Sequence, residues 1–216
     1  DKNLHKDRLH RLCFLMNAAK TVTQLKNHPS ICYWTIFNEA WGQFDSDETY
    51  ETFKTWDDTR FIDSTSGWFR GSESDVESLH IYFGMWHRMK ASQKPIVLSE
   101  FGGFTYSAPG HIFNPDKSYG YGTCKNGEEL FARLEKLYIG EIVPAIKSGV
   151  SGLVYTQLSD VEDETNGLLT FDRRVLKVNP DEFLSKGRAT PFENERLFGK
   201  NLMTVCNKNI VYKCFE

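Results

Sequence analysis

The chain has 216 residues, of which 40% are hydrophobic and 25% are charged, as in an ordinary folded protein rather than a disordered one. Its net charge of −3 gives no electrostatic basis for binding nucleic acid or an anionic membrane surface. Its apolar runs are shorter than the roughly 20 residues of a membrane helix. The five cysteines are odd in number and lack a C-x-x-C pair, which favours a reducing, cytoplasmic compartment.

The first half of the chain alternates predicted helices with short apolar strands. Apolar residues at three- and four-residue steps, among them Leu12 and Met16, predict an amphipathic helix over 4–26. The run 31–37 is rich in β-branched and aromatic residues and predicts a strand buried on both faces. Further along, the pattern predicts a helix over 46–60 with Asp45 or Ser46 as N-cap, strands over 60–64 and 78–82, and a short helix over 86–91.

The second half continues the alternation around one long loop. Strands are predicted over 94–99 and 150–158, with a helix over 128–147 whose last turn Pro144 disturbs. The loop over 102–126 is rich in Gly, Pro and Tyr, and loops of this length in compact domains are usually functional walls or lids. Alternating strands and helices indicate an α/β fold with a parallel sheet.

Two segments place a glutamate directly after an apolar strand. In 34–42 the strand ends in Asn38-Glu39, and in 95–103 it ends in Glu100, followed by two glycines. A carboxylate in such a place is costly unless it is neutral, paired or hydrogen-bonded. The alternative for Glu39 is a solvated residue that starts a loop. Because parallel strands carry their sites at their carboxyl ends, we expect Glu39 and Glu100 to meet in one cleft.

Four ordered motifs resemble the catalytic barrel of glycoside hydrolase family 2, which contains β-galactosidases, β-glucuronidases and β-mannosidases. Residues 28–43 resemble the fourth barrel strand of that family, and 99–103 resemble the seventh, which carries the nucleophile. Residues 80–84 resemble the sixth strand, and 154–174 resemble the eighth strand of one branch of the family. The resemblance covers roughly residues 1–178 and leaves 179–216 as a tail of uncertain structure.

The resemblance implies a partial (β/α)₈ TIM barrel, approximately strands 4 to 8. A complete barrel takes about 250 residues. The chain begins without Met in the helix before strand four, so we expect it to be a piece cut from a longer protein. This piece would lack strands one to three of the barrel and the amino-terminal domains usual in the family. Open strand edges invite pairing. We therefore expect the piece either to form a homodimer through these edges or to cover one edge with its tail.

The activity implied by the resemblance is that of a retaining β-glycosidase. Hydrolysis of a β-galactoside is the first expectation, and hydrolysis of a β-glucuronide is the second. Glu100 is the implied nucleophile, and Glu39 the acid/base of a double displacement through a covalent glycosyl-enzyme. Asn38 would bind the sugar 2-hydroxyl, and Tyr82 would orient Glu100. The chemistry implies no cofactor.

Five further residues have two interpretations each. His80 either lines the sugar site or is a hydrogen-bonded histidine at a strand end. Trp41 and Trp86 either stack on sugar rings or belong to the core. Tyr155 and Gln157 lie two apart on a strand, so both can face the barrel interior, where they form the floor of the pocket or fill the barrel.

Two polar groups have weaker interpretations. The acidic residues of 160–164 suggest a metal site at first, but without His or suitable spacing we expect a solvated acidic loop and no metal. Asn114 and Lys117 are weak candidates for binding the carboxylate of an acid sugar.

Two functions compete with hydrolysis of a β-linked carbohydrate by this family. One is an incomplete fragment acting as a carbohydrate-binding or structural module, and the other a cellulase-like enzyme of the same barrel type.

Overall fold

The computed structural model describes residues 6–39, 42–68, 70–84 and 92–179, together with the backbone of 205–206 and 209–210. The helices are α1 (Arg8–Leu25), α2 (Ser46–Trp56), α3 (Gly127–Leu137) and α4 (Val143–Lys147), with a π-helical turn at Tyr138–Ile142. The strands are β1 (Tyr33–Phe37), β2 (Phe61–Thr65), β3 (Glu77–Ile81), β4 (Ile96–Gly102), β5 (Val150–Thr156), β6 (Val205–Cys206) and β7 (Asn209–Ile210).

Five parallel strands follow one another in chain order. β1 pairs with β2, and β3, β4 and β5 form a second run, all in parallel register. A hydrogen bond from Asp75 N to Ile62 O connects the segment before β3 to β2. In the described residues, α2 connects β1 to β2, and α3 and α4 connect β4 to β5. Parallel strands with helical connections are the arrangement predicted for part of a barrel, and the α/β fold class is confirmed. The carboxyl ends of all five strands consequently lie at one end of the fold.

Of the three apolar clusters in the described residues, two lie between the strands and the helices. The first joins α1 and α2 to β1 and β2 through Val22, Ile36, Phe37, Tyr50, Phe53 and Ile62. The second joins β3, β4 and β5 to the helical run 127–147, with Leu98 and Phe101 at its centre.

Two details of the first cluster differ from the sequence-based predictions. Helix α1 contacts the cluster through Phe14, Ala18 and Val22, whereas Leu12 and Met16 of the predicted stripe are exposed. The apolar periodicity of α1 therefore predicted the helix and its buried Val22, but not the rest of its contacting face. β1 is not buried on both faces, because Thr35 is exposed and β2 is its only partner strand in the described part of the chain.

The helical run 127–147 is one continuous rod with a change of pitch. Asn126 caps its start by accepting a hydrogen bond from Glu129 N. Pro144 lies in the first turn of α4, directly after the π-helical turn. Pro144 lacks an N–H and therefore cannot donate the hydrogen bond of a regular helix. The wider π-helical turn before it accommodates the proline, so the helix continues past Pro144.

Two loops at the carboxyl end of the strands are bonded to each other. The backbone of 102–126 exchanges hydrogen bonds with that of 157–178, including Tyr106 N to Thr165 O and Tyr119 N to Asp163 O. His111 contacts Asp172 at 2.8 Å, and hydrogen bonds from Thr170 and His111 lower the pKa of Asp172 to about 2. The long loop is thus an anchored wall beside the strand ends.

A buried ion pair fixes the second of these loops. Lys177 Nζ donates to Asp160 Oδ1 at 2.6 Å and to Thr165 O at 2.9 Å, and the same Asp160 oxygen accepts from Gly167 N. Burial raises the pKa of Asp160 and lowers the pKa of Lys177, although each charge favours the other. The predicted solvated acidic loop is therefore wrong for Asp160, which is buried because Lys177, 17 residues away in sequence, neutralises it.

Some predictions fall outside the described residues. These are the helix over 86–91 with Trp86, the residue Trp41, and most of the tail 179–216. Of the tail, the structure describes only a two-residue antiparallel pairing of β6 with β7, so the domain boundary near 179 stays a prediction. Among the helices described, none has the length and apolar character needed to span a bilayer.

Removing one partner of the buried pair should destabilise the fold strongly. Lys177→Met leaves Asp160 charged and buried, so the free energy of unfolding should fall by about 3–5 kcal/mol in urea titration. Adding Asp160→Asn, which keeps the acceptor for Gly167 N, should restore part of that loss. The control is Arg133→Met in the half-exposed pair with Glu129, which should cost at most about 1 kcal/mol. Equal losses for Lys177→Met and Arg133→Met would contradict this account.

Candidate active site

Glu39 lies just beyond the carboxyl end of β1. The strand ends at Phe37, and the main chain leaves the sheet through Asn38 and Glu39. Gln43 ties this turn to its neighbour, because its side-chain amide donates to Asn38 O at 3.0 Å and to Trp68 O at 3.1 Å. The half-buried Glu39 is thereby held over the strand ends instead of extending into solvent.

His80 and Tyr82 come from the end of β3. Residues two apart on an extended chain point to the same side, so both rings face the space above the sheet. The His80 side chain is 0% exposed, whereas Tyr82 is partly buried. Both reach the carboxylates that the sequence singled out.

An irregularity in β4 turns Glu100 toward the site. Ile96 and Leu98 face the helices, so strict alternation would place residue 100 on that side as well. The register with β3 shifts instead: Leu79 pairs with Leu98, but His80 pairs with Glu100. Ser99 takes up the extra residue, and its hydroxyl contacts the Ser78 hydroxyl at 2.6 Å. This bulge directs Glu100 to the side of His80.

The imidazole of His80 lies between the two carboxylates. Its Nδ1 is 2.7 Å from Glu39 Oε2 and 3.3 Å from Glu100 Oε2, while Nε2 is 2.6 Å from the Ser66 hydroxyl. Gly67, at φ +78°, lies against the ring, and a Cβ there would be 2.6 Å from ring atoms. A carboxylate accepts hydrogen bonds, so the Nδ1 that faces two of them carries the proton.

Tyr82 supports Glu100 from the other side. Its hydroxyl donates to Glu100 Oε2 at 2.5 Å. Burial, followed by the hydrogen bond to Glu100, raises the pKa of Tyr82 above its ordinary value. The phenol therefore stays neutral and serves as a hydrogen-bond donor that holds the Glu100 carboxylate in place.

The two carboxylates are close enough to act on one bond. Oxygen atoms of Glu39 and Glu100, and Nδ1 of His80, lie within 4.8 Å of one another. Paired carboxyl groups about 5–5.5 Å apart are typical of glycoside cleavage through a covalent intermediate, and about 6.5–9.5 Å of direct attack by water. The same three groups have the ligand types and the spacing that could also hold a cation.

The other predicted site residues lie around this centre in different ways. Asn38 is exposed at the strand end next to Glu39. Tyr155 packs on Phe101 with ring centroids 5.7 Å apart, inside the apolar clusters, which corresponds to its core-filling interpretation. The Gln157 amide donates to Glu164 and Asn166, each at 2.8 Å, and so holds the loop 157–178.

The candidates for binding an acid sugar occupy the long loop. The Asn114 side chain donates to Asp163 Oδ1 at 2.9 Å, and Lys117 is exposed. Their role remains a prediction, as does the role of Trp41.

Sequence reasoning missed five residues at this site. Ser66 and Gly67 follow β2 and hold the His80 ring, and a Ser-Gly dipeptide in a turn gives no sign of this. Phe83, Tyr119 and Tyr121 gather beside Tyr82, with Tyr82 and Tyr121 stacked at 3.8 Å between centroids. The only signal for the last two was the density of tyrosines in the loop 102–126.

No curated protein matches the sequence. Solved structures that resemble the chain include a β-glucuronidase from Dictyoglomus thermophilum (19% identity, TM-score 0.45, 74% of this chain and 33% of that one). Another is an FMN-binding β-glucuronidase from Facaelibacterium prausnitzii L2-6 (19% identity, TM-score 0.49, 76% of this chain and 30% of that one). The chain thus spans about a third of the length of either structure.

The family assignment comes from the match between the amino-acid sequence and a protein-family model. The model of the TIM barrel domain of glycosyl hydrolases family 2 matches residues 4–124, more than half of the 216 residues. The matched segment carries Glu39, His80, Tyr82 and Glu100 with the strands that position them. The chain therefore belongs to glycosyl hydrolase family 2, as part of its TIM-barrel domain.

Proposed function

We propose that this chain carries the catalytic pair of a retaining β-glycosidase, with Glu100 as nucleophile and Glu39 as acid/base. The observation that carries the proposal is the pair of carboxylates within 4.8 Å of each other at the carboxyl ends of parallel strands. Their surroundings differ, since Glu100 accepts from Tyr82 and Glu39 contacts only His80 among the side chains described. Different surroundings let two carboxyl groups take different roles.

The hydrogen bonds indicate which oxygen of each carboxylate reacts. Tyr82 and His80 both approach Oε2 of Glu100, which leaves Oε1 to attack the anomeric carbon. His80 Nδ1 approaches Oε2 of Glu39, which leaves Oε1 of Glu39 to carry the acidic proton.

In the first step, Oε1 of Glu100 forms an ester bond to the anomeric carbon while the glycosidic oxygen leaves with the proton of Glu39. In the second step, water attacks the same carbon, Glu39 takes a proton from that water, and Glu100 departs as a carboxylate. Asn38, beside Glu39, is the proposed partner of the sugar 2-hydroxyl. The sugar class is a β-galactoside or a β-glucuronide.

Glutamine at either position should abolish most of the turnover of aryl β-glycosides. Glu39→Gln removes the general acid, an effect of about 10²–10⁴-fold in kcat. Glu100→Gln removes the nucleophile and should lower kcat further. The control Glu51→Gln makes the same chemical change on the exposed face of α2 and should leave kcat unchanged. Binding of the glycoside by wild-type protein without turnover would favour the alternative of a carbohydrate-binding module.

Azide should distinguish the two roles. In Glu39→Ala, azide occupies the space of the lost carboxylate, attacks the glycosyl-enzyme and gives a β-glycosyl azide. In Glu100→Ala, azide replaces the nucleophile and gives an α-glycosyl azide in one inversion. Nuclear magnetic resonance of the products identifies each anomer, and exchanged outcomes would reverse the assignment of roles.

Gly67 should be intolerant of a side chain because of the His80 ring. Gly67→Ala and Gly110→Ala have the same backbone cost, since φ is +78° and +77°, about 1–2 kcal/mol each. Only the Cβ at residue 67 meets atoms, those of His80, whereas the Cβ at residue 110 meets nothing within 4 Å. We expect Gly67→Ala to lose at least about tenfold in kcat/KM, because a displaced ring orients neither carboxylate. Equal kcat/KM in the two variants would contradict a role for the ring position.

We also propose that the chain pairs with a second copy through its outer strands. In the described residues, β1 bonds only to β2 and β5 only to β4, so each has an unpaired backbone edge. Light scattering should show a dimer, and Val154→Lys on β5 should favour the monomer. Val161→Lys is the matched control, since both valines are 52% exposed and Val161 lies in a loop. A monomeric wild type would contradict the pairing.

A further inference from the structure

Three aromatic rings continue outward from the catalytic pair. Tyr121 stacks on Tyr82 with centroids 3.8 Å apart, and Phe83 and Tyr119 flank Tyr121 at 5.5 and 6.1 Å in edge-on geometry. We call Phe83, Tyr119 and Tyr121 the aromatic wall. It joins the end of β3 to the loop 102–126.

The wall begins beside the carboxylates and ends in solvent. Tyr121 stacks on Tyr82, whose hydroxyl donates to Glu100, so the inner end of the wall lies next to the catalytic pair. Burial, then Tyr119, then the charges of Glu39 and Glu100 raise the pKa of Tyr121, which agrees with that position. Phe83 and Tyr119 are 69% and 56% exposed. Scattered exposed aromatic side chains are ordinary, but a contiguous group beside a pair of carboxylates indicates a binding surface.

The wall is fixed before any ligand arrives. Tyr121 N donates to Gly103 O at 2.7 Å, and Tyr119 is bonded through its backbone to the loop 157–178 on both sides. Gly103 and Gly120 have φ of +65° and +148°, and a Cβ on either would collide with neighbouring atoms, in Gly103 with the rings of Tyr121 and Tyr82. A preorganised surface loses little conformational entropy on binding.

We infer that the aromatic wall binds the leaving group of the substrate, and that this group carries a flat ring. The inference rests on the proposed function, because the bond to be cleaved must lie between Glu39 and Glu100. The sugar that becomes attached to Glu100 occupies the inner end of the cleft. The group on the far side of the glycosidic oxygen then extends outward along Tyr121 toward Phe83 and Tyr119.

The ligand class follows from the chemistry of the rings. Aromatic faces attract other aromatic rings and the apolar face of a pyranose, and they gain little from a methyl group. The leaving group is therefore an aryl group or a second sugar ring. These two sources share the flat face and are separated by the substrates of the test.

The test compares three β-galactosides, or the corresponding β-glucuronides if wild type prefers them: phenyl, methyl, and a disaccharide with a second pyranose. We expect Phe83→Ala and Tyr119→Ala to lower kcat/KM about two- to tenfold for the ring-bearing substrates and to leave the methyl glycoside unchanged. Phe61→Ala is the control, since Phe61 is 54% exposed, close to the exposed fraction of Tyr119, and lies at the opposite, amino-terminal end of β2. A loss confined to the phenyl or to the disaccharide substrate identifies which leaving group the wall accepts.

Other outcomes would overturn the inference. Equal losses on all three substrates would mean that the wall contacts the inner sugar, and no loss on any would mean that it contacts no substrate. If wild type turns over none of them, the proposed function fails, and calorimetry with the phenyl and methyl glycosides then decides the inference separately. Tighter binding of the phenyl glycoside than of the methyl glycoside by wild type, lost in Phe83→Ala, would support the inference. Equal binding of the two glycosides by wild type would refute the inference.

Discussion

The site depends on the position of one imidazole ring. The side chain of His80 is fully buried, contacts Glu39 and Glu100 through Nδ1, and is held at Nε2 by Ser66 and from the side by Gly67. Two carboxylates this close repel each other when both are ionised. The proton on Nδ1 lowers that repulsion, because this N–H bonds to Glu39 and lies 3.3 Å from Glu100, and the tight turn after β2 keeps the ring in that position. Residues from the ends of β1, β2 and β4 thus meet at one side chain of β3.

The fold explains why these groups are close although they are distant in sequence. Parallel strands present their carboxyl ends on one side, so side chains from β1, β3 and β4 converge without any local contact. In regular alternation, Ser99 and Glu100 would face opposite sides of the sheet. The bulge at Ser99 lets Glu100 face the interior as Ser99 does. The anchored loops 102–126 and 157–178 then surround this end of the strands, and the Lys177–Asp160 pair holds the second loop in place.

The sequence was informative wherever local pattern determines structure. Apolar runs located the strands, and a glutamate after each of two runs located the catalytic candidates. It could not reveal the bulge, since Ser99-Glu100 looks like ordinary alternation. It could not reveal that Asp160 is buried, because Lys177 lies 17 residues away. The exposed face of α1 and the aromatic wall also depend on tertiary contacts, which the periodicity of a single segment does not contain.

The most direct test of the central claim is the configuration of the first sugar released. Retention requires the two inversions of a glycosyl-enzyme mechanism, so the wild-type chain should release the β-anomer first, as followed by proton nuclear magnetic resonance before mutarotation. Release of the α-anomer first would mean a single attack by water. Glu100 would then be a base rather than a nucleophile, and the short distance between the carboxylates would have another purpose.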